Sequence, residues 1–376
     1  MQRRRLLLAA LGLPLATALG SCRQQSAARP PYTPVCSAAS DHSGQPLLGV
    51  MHGSQWAFSL AGEERGHDSC VHPQRGEALF FARRPGSHFY VVDIHSGALR
   101  HRIHTADGYH LYGHGCLSAD GRWLYTTENH VAGGGRGAIG VYDCHRDYRL
   151  QGHLDCGGIG PHELALMPDD RHLVVAIGGL KTLPASGRQT LNPDQLAPGL
   201  SYIDLHSAKV VEFVPAPHPQ LSLRHLDVNR QGDVIVGAQF QGAVPSGLPL
   251  VYHHRRGGAL QALDSSGPLG LRQDYVASVA TDDQQQVLCS FPKDNLLALW
   301  SIADKRFVQS WQLRDCAGAV FDPAHQQFIV SSSSGQLMAA RAGQRELQAL
   351  AYLPQLRWDN HLSLVAPALA ATLAHS

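Results

Sequence analysis

A block of residues recurs along the chain with a period of roughly 40 to 60 positions. Each copy has a polar start that often carries a histidine, then a short apolar strand, a turn and a second apolar strand. The clearest copies begin around His114, His162 and His225, and an earlier copy begins at His67. One such unit cannot bury its apolar face alone, so a repeat of this length predicts a ring or stack of small β-sheets.

The number of copies predicts the number of sheets. His67, His114, His162 and His225 mark four blocks, and Ser278 and Ala317 stand at the same place in two later blocks without a histidine. We expect the tail over residues 358–365 to close a seventh unit by pairing with residues 47–50. Short strands between the blocks complete about four strands per unit. The sequence therefore predicts an all-β fold, a seven-bladed β-propeller of four-stranded antiparallel blades over residues 46–376, with residues 181–199 inserted between two strands.

Composition excludes some classes of function. The chain has 376 residues, 44% of them hydrophobic and 16% charged, with a net charge of +1. This balance lacks the basic footprint of a nucleic-acid-binding protein. Its eight cysteines include no C-x-x-C pair, and no G-x-S-x-G, P-loop or H-E-x-x-H motif is present. The sequence therefore gives no local support to zinc ribbons, thioredoxin-like chemistry or common hydrolase sites.

The first 22 residues are typical of an export signal. Arg3, Arg4 and Arg5 precede an apolar run over residues 6–19, and small residues follow. The paired arginines resemble a twin-arginine signal. The segment ending at Cys22 also resembles a lipoprotein cleavage box, so release into the periplasm and anchoring through a lipidated Cys22 are both open. Residues 23–45, rich in Ser, Pro, Ala and Gln, are interpreted as a flexible tether.

Histidine is the residue type that points most directly to a site. The first strand of each propeller blade lines the central channel, so residues at one repeat phase form a ring there. We therefore expect five imidazoles to converge as metal ligands: His67, His114, His162, His225 and His361. Imidazole combined with carboxylate suits Fe, Cu or Zn. A channel whose histidines only hydrogen-bond to one another and to water is the competing interpretation.

Eight further residues are candidates for ligand binding around this ring. Four of them stand one or two positions from a marker histidine, where strand alternation would turn some away from the channel. Two end a second strand near the rim, and two lie in loops expected to overhang one face and bind an anion. These three groups are Arg65, Glu163, Arg224 and Asp359; Glu128 and Asn129; and Arg188 and Lys293.

Several segments of the chain together resemble one family of exported bacterial proteins, DUF1513. The matching segments span most of the chain and are residues 81–86, 112–115, 127–129, 158–163, 224–226 and 358–361. The resemblance implies a seven-bladed propeller with a twin-arginine signal. It also implies an association with imelysin-like iron-regulated proteins and di-haem peroxidase-like proteins as partners. No activity of the family carries over to this chain.

Three hypotheses for function follow. The first is a monomeric, non-enzymatic periplasmic propeller that binds a metal, a metal chelate or a partner protein in iron acquisition. The second is a metal-dependent enzyme, either a lactonase-like hydrolase or an oxidoreductase, with His162 or Glu163 as the general base. The third is an interaction scaffold without a metal. A propeller fold by itself does not discriminate among them.

Overall fold

The computed structural model describes residues 31–187, 189–243, 247–264, 275–282 and 284–373. The predicted export signal, its Cys22 lipidation site and Arg188 lie outside these residues. Within them, the strands form seven antiparallel sheets. The inner strands of consecutive sheets contact one another around a closed ring. The last strand of the chain, Ser363–Leu364, closes the ring because it contacts the inner strands Gly66–His72 and Cys316–Asp322 of the two neighbouring sheets. The prediction of a seven-bladed β-propeller with four-stranded blades is confirmed.

The strands follow one another in chain order from the centre of each blade outward. The chain opens with three strands of blade 7, the closing blade: Val35–Asp41 (β1), Pro46–His52 (β2) and Gln55–Ala61 (β3). Blade 1 contains Gly66–His72 (β4), Glu77–Ala82 (β5), His88–Asp93 (β6) and Leu99–His104 (β7). Blade 2 contains Tyr109–Leu117 (β8), Trp123–His130 (β9), Arg136–Asp143 (β10) and Arg149–Asp155 (β11). Blade 3 contains Pro161–Leu166 (β12), His172–Ile177 (β13), Gly199–Asp204 (β14) and Lys209–Pro215 (β15).

The remaining blades repeat this order. Blade 4 contains Leu221–Val228 (β16), Val234–Phe240 (β17), Val251–His254 (β18) and Gln261–Ala262 (β19). Blade 5 contains Ser278–Thr281 (β20), Gln286–Phe291 (β21), Leu296–Ser301 (β22) and Phe307–Gln312 (β23). Blade 6 contains Cys316–Asp322 (β24), Gln327–Ser332 (β25), Gln336–Ala340 (β26) and Gln348–Tyr352 (β27). The inner position of blade 7 is split into Leu356–Trp358 (β28) and Ser363–Leu364 (β29), both paired with β1.

Burial distinguishes the middle strands of the blades from the outer strands. All six residues of β5 and of β13 are buried, because neighbouring blades cover both faces of these strands. Outer strand β15 alternates strictly between exposed and partly buried residues, as a strand does when only one face packs on the next blade. The hydrophobic core is therefore distributed between the blades, and the polar inner strands are left around the axis.

The ring closes at a place that the sequence did not predict. Residues 35–41, which were assigned to the tether, form β1, and Val35 and Cys36 are fully buried. The tail pairs with β1 and not with residues 47–50, which belong to β2, the next strand of the same blade. The tether prediction was wrong for residues 35–41. The Ser- and Ala-rich composition that suggested a tether also suits a central strand, where tight packing between blades admits small side chains.

A short helix follows the last strand. Residues Pro367–Leu373 (α1) form one helical segment whose Leu369 and Leu373 pack against the cores of blades 7 and 1. Among the described residues, no helix is both long and apolar enough to cross a membrane.

The inner strands share one irregularity at the marker histidines. In blades 1, 3 and 4 the pairing with the second strand slips by one residue between Gly66 and Ser69, between Pro161 and Leu164, and between Leu223 and Leu226. In blade 2 the pairing slips by two residues, between Leu111 and Gly115. Each slip is a β-bulge, which breaks the alternation of side chains and re-aims the residues inside it. Two consecutive residues of one inner strand can therefore both face the hub, by which we mean the centre of the ring that the inner strands surround.

Candidate functional site

The five marker histidines lie together at the hub. Going round the blades, the distances between successive ring centroids are 4.7 Å for His67–His114, 5.0 Å for His114–His162, 4.6 Å for His162–His225, 4.8 Å for His225–His361 and 4.8 Å for His361–His67. Distances across the group run from 4.6 Å to 6.3 Å. We call this group the histidine cluster. The convergence expected from the repeat phase is thus present, and the role of these side chains as metal ligands stays a prediction.

Carboxylates hold three of the imidazoles at Nδ1. Asp359 Oδ1 lies 3.2 Å from Nδ1 of His67, Asp68 Oδ2 lies 3.2 Å from Nδ1 of His114, and Glu163 Oε2 lies 3.1 Å from Nδ1 of His225. A carboxylate on one ring nitrogen fixes the ring orientation and directs the other nitrogen away from it. Metal-ligating histidines are usually held in this way, with Nε2 left for the ion.

Three ring nitrogens of the cluster are buried without a hydrogen-bond partner among the described residues: Nε2 of His114, Nε2 of His361 and Nδ1 of His162. The side chain of His114 is fully buried. Leaving a buried polar atom unpaired costs about 1–3 kcal/mol, and such atoms in a native protein call for a water or an ion. The unpaired nitrogens therefore fit the requirements of a ligand for a metal.

Two overlapping sets of donors are close enough to share an ion. One consists of His114, Glu163, His225 and His361, and the other of His67, His114 and His162; within each set the donor atoms lie within 4.8 Å of one another. Two ligands of a tetrahedral ion with bonds of 2.0–2.1 Å are about 3.4 Å apart. A small inward movement of the side chains is thus needed to bring the first set to bonding distance. Three imidazoles and one carboxylate form a donor set that suits Zn, Fe or Cu.

Burial keeps the imidazoles in the form that can bind a metal. The pKa values of His67, His162, His225 and His361 are lowered well below the usual value, first by burial and then by the neighbouring imidazoles. These rings are therefore neutral near pH 7, with a lone pair available. The pKa of Glu163 is raised, first by burial and then by the nearby carboxylate of Asp68. A cation beside Glu163 would favour its ionised form.

A cavity of about 980 Å³ opens over one side of the cluster. Imidazoles of His67, His162 and His225 form part of its floor. In blades 5 and 6 the small residues Ser278 and Ala317 stand at the position of the marker histidines. Ala317 and Ser333 line the cavity wall on this side. The two blades without a histidine thus leave room for a ligand beside the imidazoles. The size falls in the range of small-molecule sites.

Basic side chains outnumber acidic ones in the lining of this cavity. They are Arg65, Arg83, Arg84, Arg224 and Lys293, and the carboxylates on the same wall are Glu64 and Asp315. Arg65 Nε donates to Asp359 Oδ2 at 2.5 Å, and Lys293 Nζ lies 5.7 Å from the centre of the Tyr275 ring. The cavity that leads to the cluster is therefore suited to an anion.

One of the predicted site residues, Glu128, lies away from the cavity. Glu128 lies on the face of blade 2, where its buried carboxylate accepts hydrogen bonds from Tyr142 Oη at 2.7 Å and Thr126 Oγ1 at 2.8 Å. His153 Nε2 lies 2.9 Å from the other oxygen. The expectation that Glu128 binds a ligand at the rim does not hold, because β9 turns this side chain onto its own sheet.

Asn129 holds the insertion that was predicted between two strands of blade 3. Its Nδ2 donates to the carbonyl of Thr182 at 2.9 Å, and Arg84 Nη1 donates to the hydroxyl of the same residue at 2.9 Å. This contact fixes the insertion beside the cavity. Oδ1 of Asn129 is buried without a hydrogen-bond partner among the described residues, so a ligand-binding role for this residue stays a prediction.

The sequence-based set missed four residues of the site. Asp68 holds His114, and Arg83, Arg84 and Tyr275 line the cavity. Asp68 follows His67 as Glu163 follows His162, so aligning the two blocks residue by residue pairs the two acids. Strict strand alternation hides this relation, because it sends neighbours of a channel residue to the opposite face. The bulges remove that obstacle.

Comparisons with known proteins identify the family and the fold. No curated protein matches the sequence significantly. Solved structures with a similar fold are numerous, 1381 chains in all, which by itself leaves the function undetermined. One of them is hydrazine synthase from Kuenenia stuttgartiensis, with a TM-score of 0.62, 16% sequence identity, and coverage of 80% of this chain and 90% of that chain. A likeness at this identity concerns the fold alone. A family model described as "Protein of unknown function (DUF1513)" matches residues 61–365, most of the described propeller, and the chain therefore belongs to the DUF1513 family.

Proposed function

We propose that the protein binds a transition-metal ion at its hub, through His114, His225, His361 and Glu163, and that it handles the metal without transforming a substrate. The observation that carries the proposal is the pairing of two features in one cluster. Carboxylates hold the Nδ1 atoms of His114 and His225, while Nε2 of His114 and of His361 is buried without a partner among the described residues. This combination supports a ligand role because it orients donor atoms that no described residue uses.

The competing interpretation is a purely structural cluster. Histidines that only hold the blades together would use both ring nitrogens in hydrogen bonds, as buried polar groups generally do. A single unpaired nitrogen does not decide the question, because His72, on the same strand as His67, has its Nε2 2.7 Å from the carbonyl oxygen of Gly121 and its Nδ1 buried without a partner among the described residues. The cluster differs from His72 because donor atoms of several side chains lie within 4.8 Å of one another. The hub also brings five imidazoles together, and burial opposes the protonation of four of them, His67, His162, His225 and His361. A bound cation offsets the cost of the unpaired nitrogens.

Iron is the metal that we propose first, with zinc and copper as alternatives. The cluster supplies nitrogen and oxygen donors, which suit all three. The export signal and the expected periplasmic location or Cys22 anchor belong to this proposal, as do the imelysin-like and di-haem peroxidase-like partners and the monomeric state. Their support is the family resemblance and the N-terminal sequence pattern.

Metal analysis of the exported protein tests the proposal. The chain is purified after export from a bacterial host, supplied with Fe(II), Zn(II) or Cu(II) without oxygen, desalted and analysed by mass spectrometry of the metals. We expect about one ion per chain, lost in the double variant His114→Ala, His225→Ala. His72→Ala is the matched control, because His72 is equally buried and lies outside the cluster. Folding of each variant is checked by circular dichroism.

Two results would overturn the metal site. One is a folded wild-type protein that retains no metal under any of these conditions. The other is a folded double variant that keeps the full metal content. If alanine prevents folding, His114→Asn and His225→Asn replace it, since asparagine preserves a polar side chain of similar length.

A metal-dependent enzyme is the second candidate. Glu163 favours it, because a buried carboxyl group with a raised pKa can act as a general base. His162 lines the same cavity. Screening of lactones and redox substrates with the metal-loaded protein tests this candidate. Turnover that Glu163→Gln removes while the metal is retained would favour the enzyme over the binding protein.

A further inference from the structure

Positive charge is spread around the cavity over three different blades. Arg83 and Arg84 follow β5 of blade 1, Arg224 lies on β16 of blade 4, and Lys293 lies in the loop before β22 of blade 5. Arg65 has Asp359 as a partner. The other four cations share the wall with two carboxylates, Glu64 and Asp315. An anion with charged groups at separate points would meet cations on more than one side.

Two of the arginines donate hydrogen bonds to neutral groups. Arg84 Nη1 donates to the hydroxyl of Thr182 at 2.9 Å, and Arg224 Nη2 donates to Oε1 of Gln239 at 2.9 Å. Arg224 Nε is buried and has no hydrogen-bond partner among the described residues. A buried guanidinium with an unpaired N–H is stabilised by an anion that accepts its hydrogen bond.

The cavity is much larger than a single tetrahedral anion requires. At about 980 Å³ it has the volume of a site for a molecule with many atoms. Planar guanidinium groups bind carboxylates through two parallel hydrogen bonds. The rings of Tyr112 and Tyr275 lie on the same wall and offer apolar surface to the body of such a molecule. Size and charge together favour a polycarboxylate over phosphate.

We infer that the cavity binds a small polycarboxylate through Arg84, Arg224 and Lys293, and that it takes this anion as a chelate whose metal reaches the histidine cluster. The chelate part rests on the proposed metal site, whereas the anion site stands on the cavity alone. His67, His162 and His225 belong to both the cluster and the cavity floor. A carboxylate held by the arginines therefore lies next to the metal donors.

Calorimetric titration of citrate separates the two parts. Citrate is titrated into metal-free and into iron- or zinc-loaded protein, with inorganic phosphate as the comparison anion. Arg84→Gln and Arg224→Gln remove one charge each from the cavity. Arg149→Gln is the matched control, because Arg149 is an exposed arginine on the outer strand of blade 2. Metal content is measured for every variant.

We expect citrate to bind and the binding to weaken with added salt. Each cavity variant should weaken it about tenfold or more, with metal content unchanged, while Arg149→Gln binds as the wild type does. Tighter citrate binding to the loaded protein supports the chelate, and equal binding with and without metal overturns the chelate part. No citrate binding in either form, equal binding by Arg224→Gln, or phosphate binding as tight as citrate overturns the anion site. Citrate binding by a protein that retains no metal would refute the metal site and leave the anion site standing.

Discussion

Glu163 Oε2 lies 3.1 Å from His225 Nδ1 and joins the inner strands of blades 3 and 4 across the hub. The same oxygen accepts the backbone N–H of Leu226 at 3.2 Å, and Oε1 lies 3.9 Å from Nδ1 of His114. One carboxylate thus contacts two imidazoles that are 111 positions apart in the chain, since His114 and His225 belong to blades 2 and 4. This contact depends on the bulge in β12 that turns Glu163 toward the hub.

Replacing Glu163 tests its part in the metal site. Glu163→Gln keeps the shape of the side chain and an acceptor for Leu226 but removes the negative charge. We expect metal affinity to fall about 10- to 100-fold, measured by competition with a chelating dye. Glu212→Gln, which removes a carboxylate from outer strand β15, is the control. Unchanged affinity in Glu163→Gln would show that this carboxylate neither binds the ion nor orients its ligands.

The stability of the metal-free protein should fall as the pH falls below about 6.5. The folded-state pKa values of His67, His162, His225 and His361 lie below the usual 6.5. The unfolded chain therefore binds more protons in this window, and the free energy of unfolding rises with pH. Glu163 acts in the opposite direction, because its raised pKa adds stability as the pH falls, but four histidines outweigh it.

Urea unfolding at several pH values measures this dependence. His361→Asn should reduce the slope of unfolding free energy against pH by up to about 1.4 kcal/mol per pH unit. The matched control is His42→Asn, which changes an imidazole on an exposed turn outside the cluster. A wild-type stability that does not decline between pH 6.5 and 5 contradicts the burial of neutral imidazoles.

Gly113 is required next to the histidine cluster for two reasons. Its φ of +106° is disfavoured for other residues, and a Cβ atom there would lie 2.9 Å from Cδ2 of His67. We expect Gly113→Ala to destabilise the fold by about 2–4 kcal/mol from backbone strain and overpacking. Gly134→Ala, at φ +77° with no atom within 4 Å of the new Cβ, should cost about 1–2 kcal/mol from strain alone. Thermal unfolding compares the two, and equal losses would refute the close contact with His67.

Tyr142 and Glu128 form a structural pair that lies apart from the hub. Tyr142→Phe removes the hydrogen bond to the buried Glu128 carboxylate and should cost about 1.5–3 kcal/mol of stability. The metal content should not change. Loss of metal in a folded Tyr142→Phe protein would contradict the conclusion that Glu128 does not bind a ligand.

Ring closure depends on β1. A chain that begins at residue 42 lacks β1, which pairs with β2 on one side and with β28 and β29 on the other. We expect this chain not to fold cooperatively, whereas a chain that begins at residue 31 should unfold like the full chain. Thermal denaturation followed by circular dichroism measures both. Equal melting of the two chains would contradict the assignment of β1 to the closing blade.

The sequence by itself determined the propeller, its seven blades and the meeting of five histidines. This was possible because a repeat turns equal sequence phase into equal position around an axis, so His67 and His225 become neighbours whatever the details of the loops. Only the tertiary structure decided which strand closes the ring, since the small residues of β1 suit both a tether and a packed strand. It also decided that Asp68 and Glu163 face the hub and that Glu128 does not, because bulges set those directions through pairing registers between strands. The arginine-lined cavity likewise arises from residues of separate blades, which only the closed ring brings onto one wall.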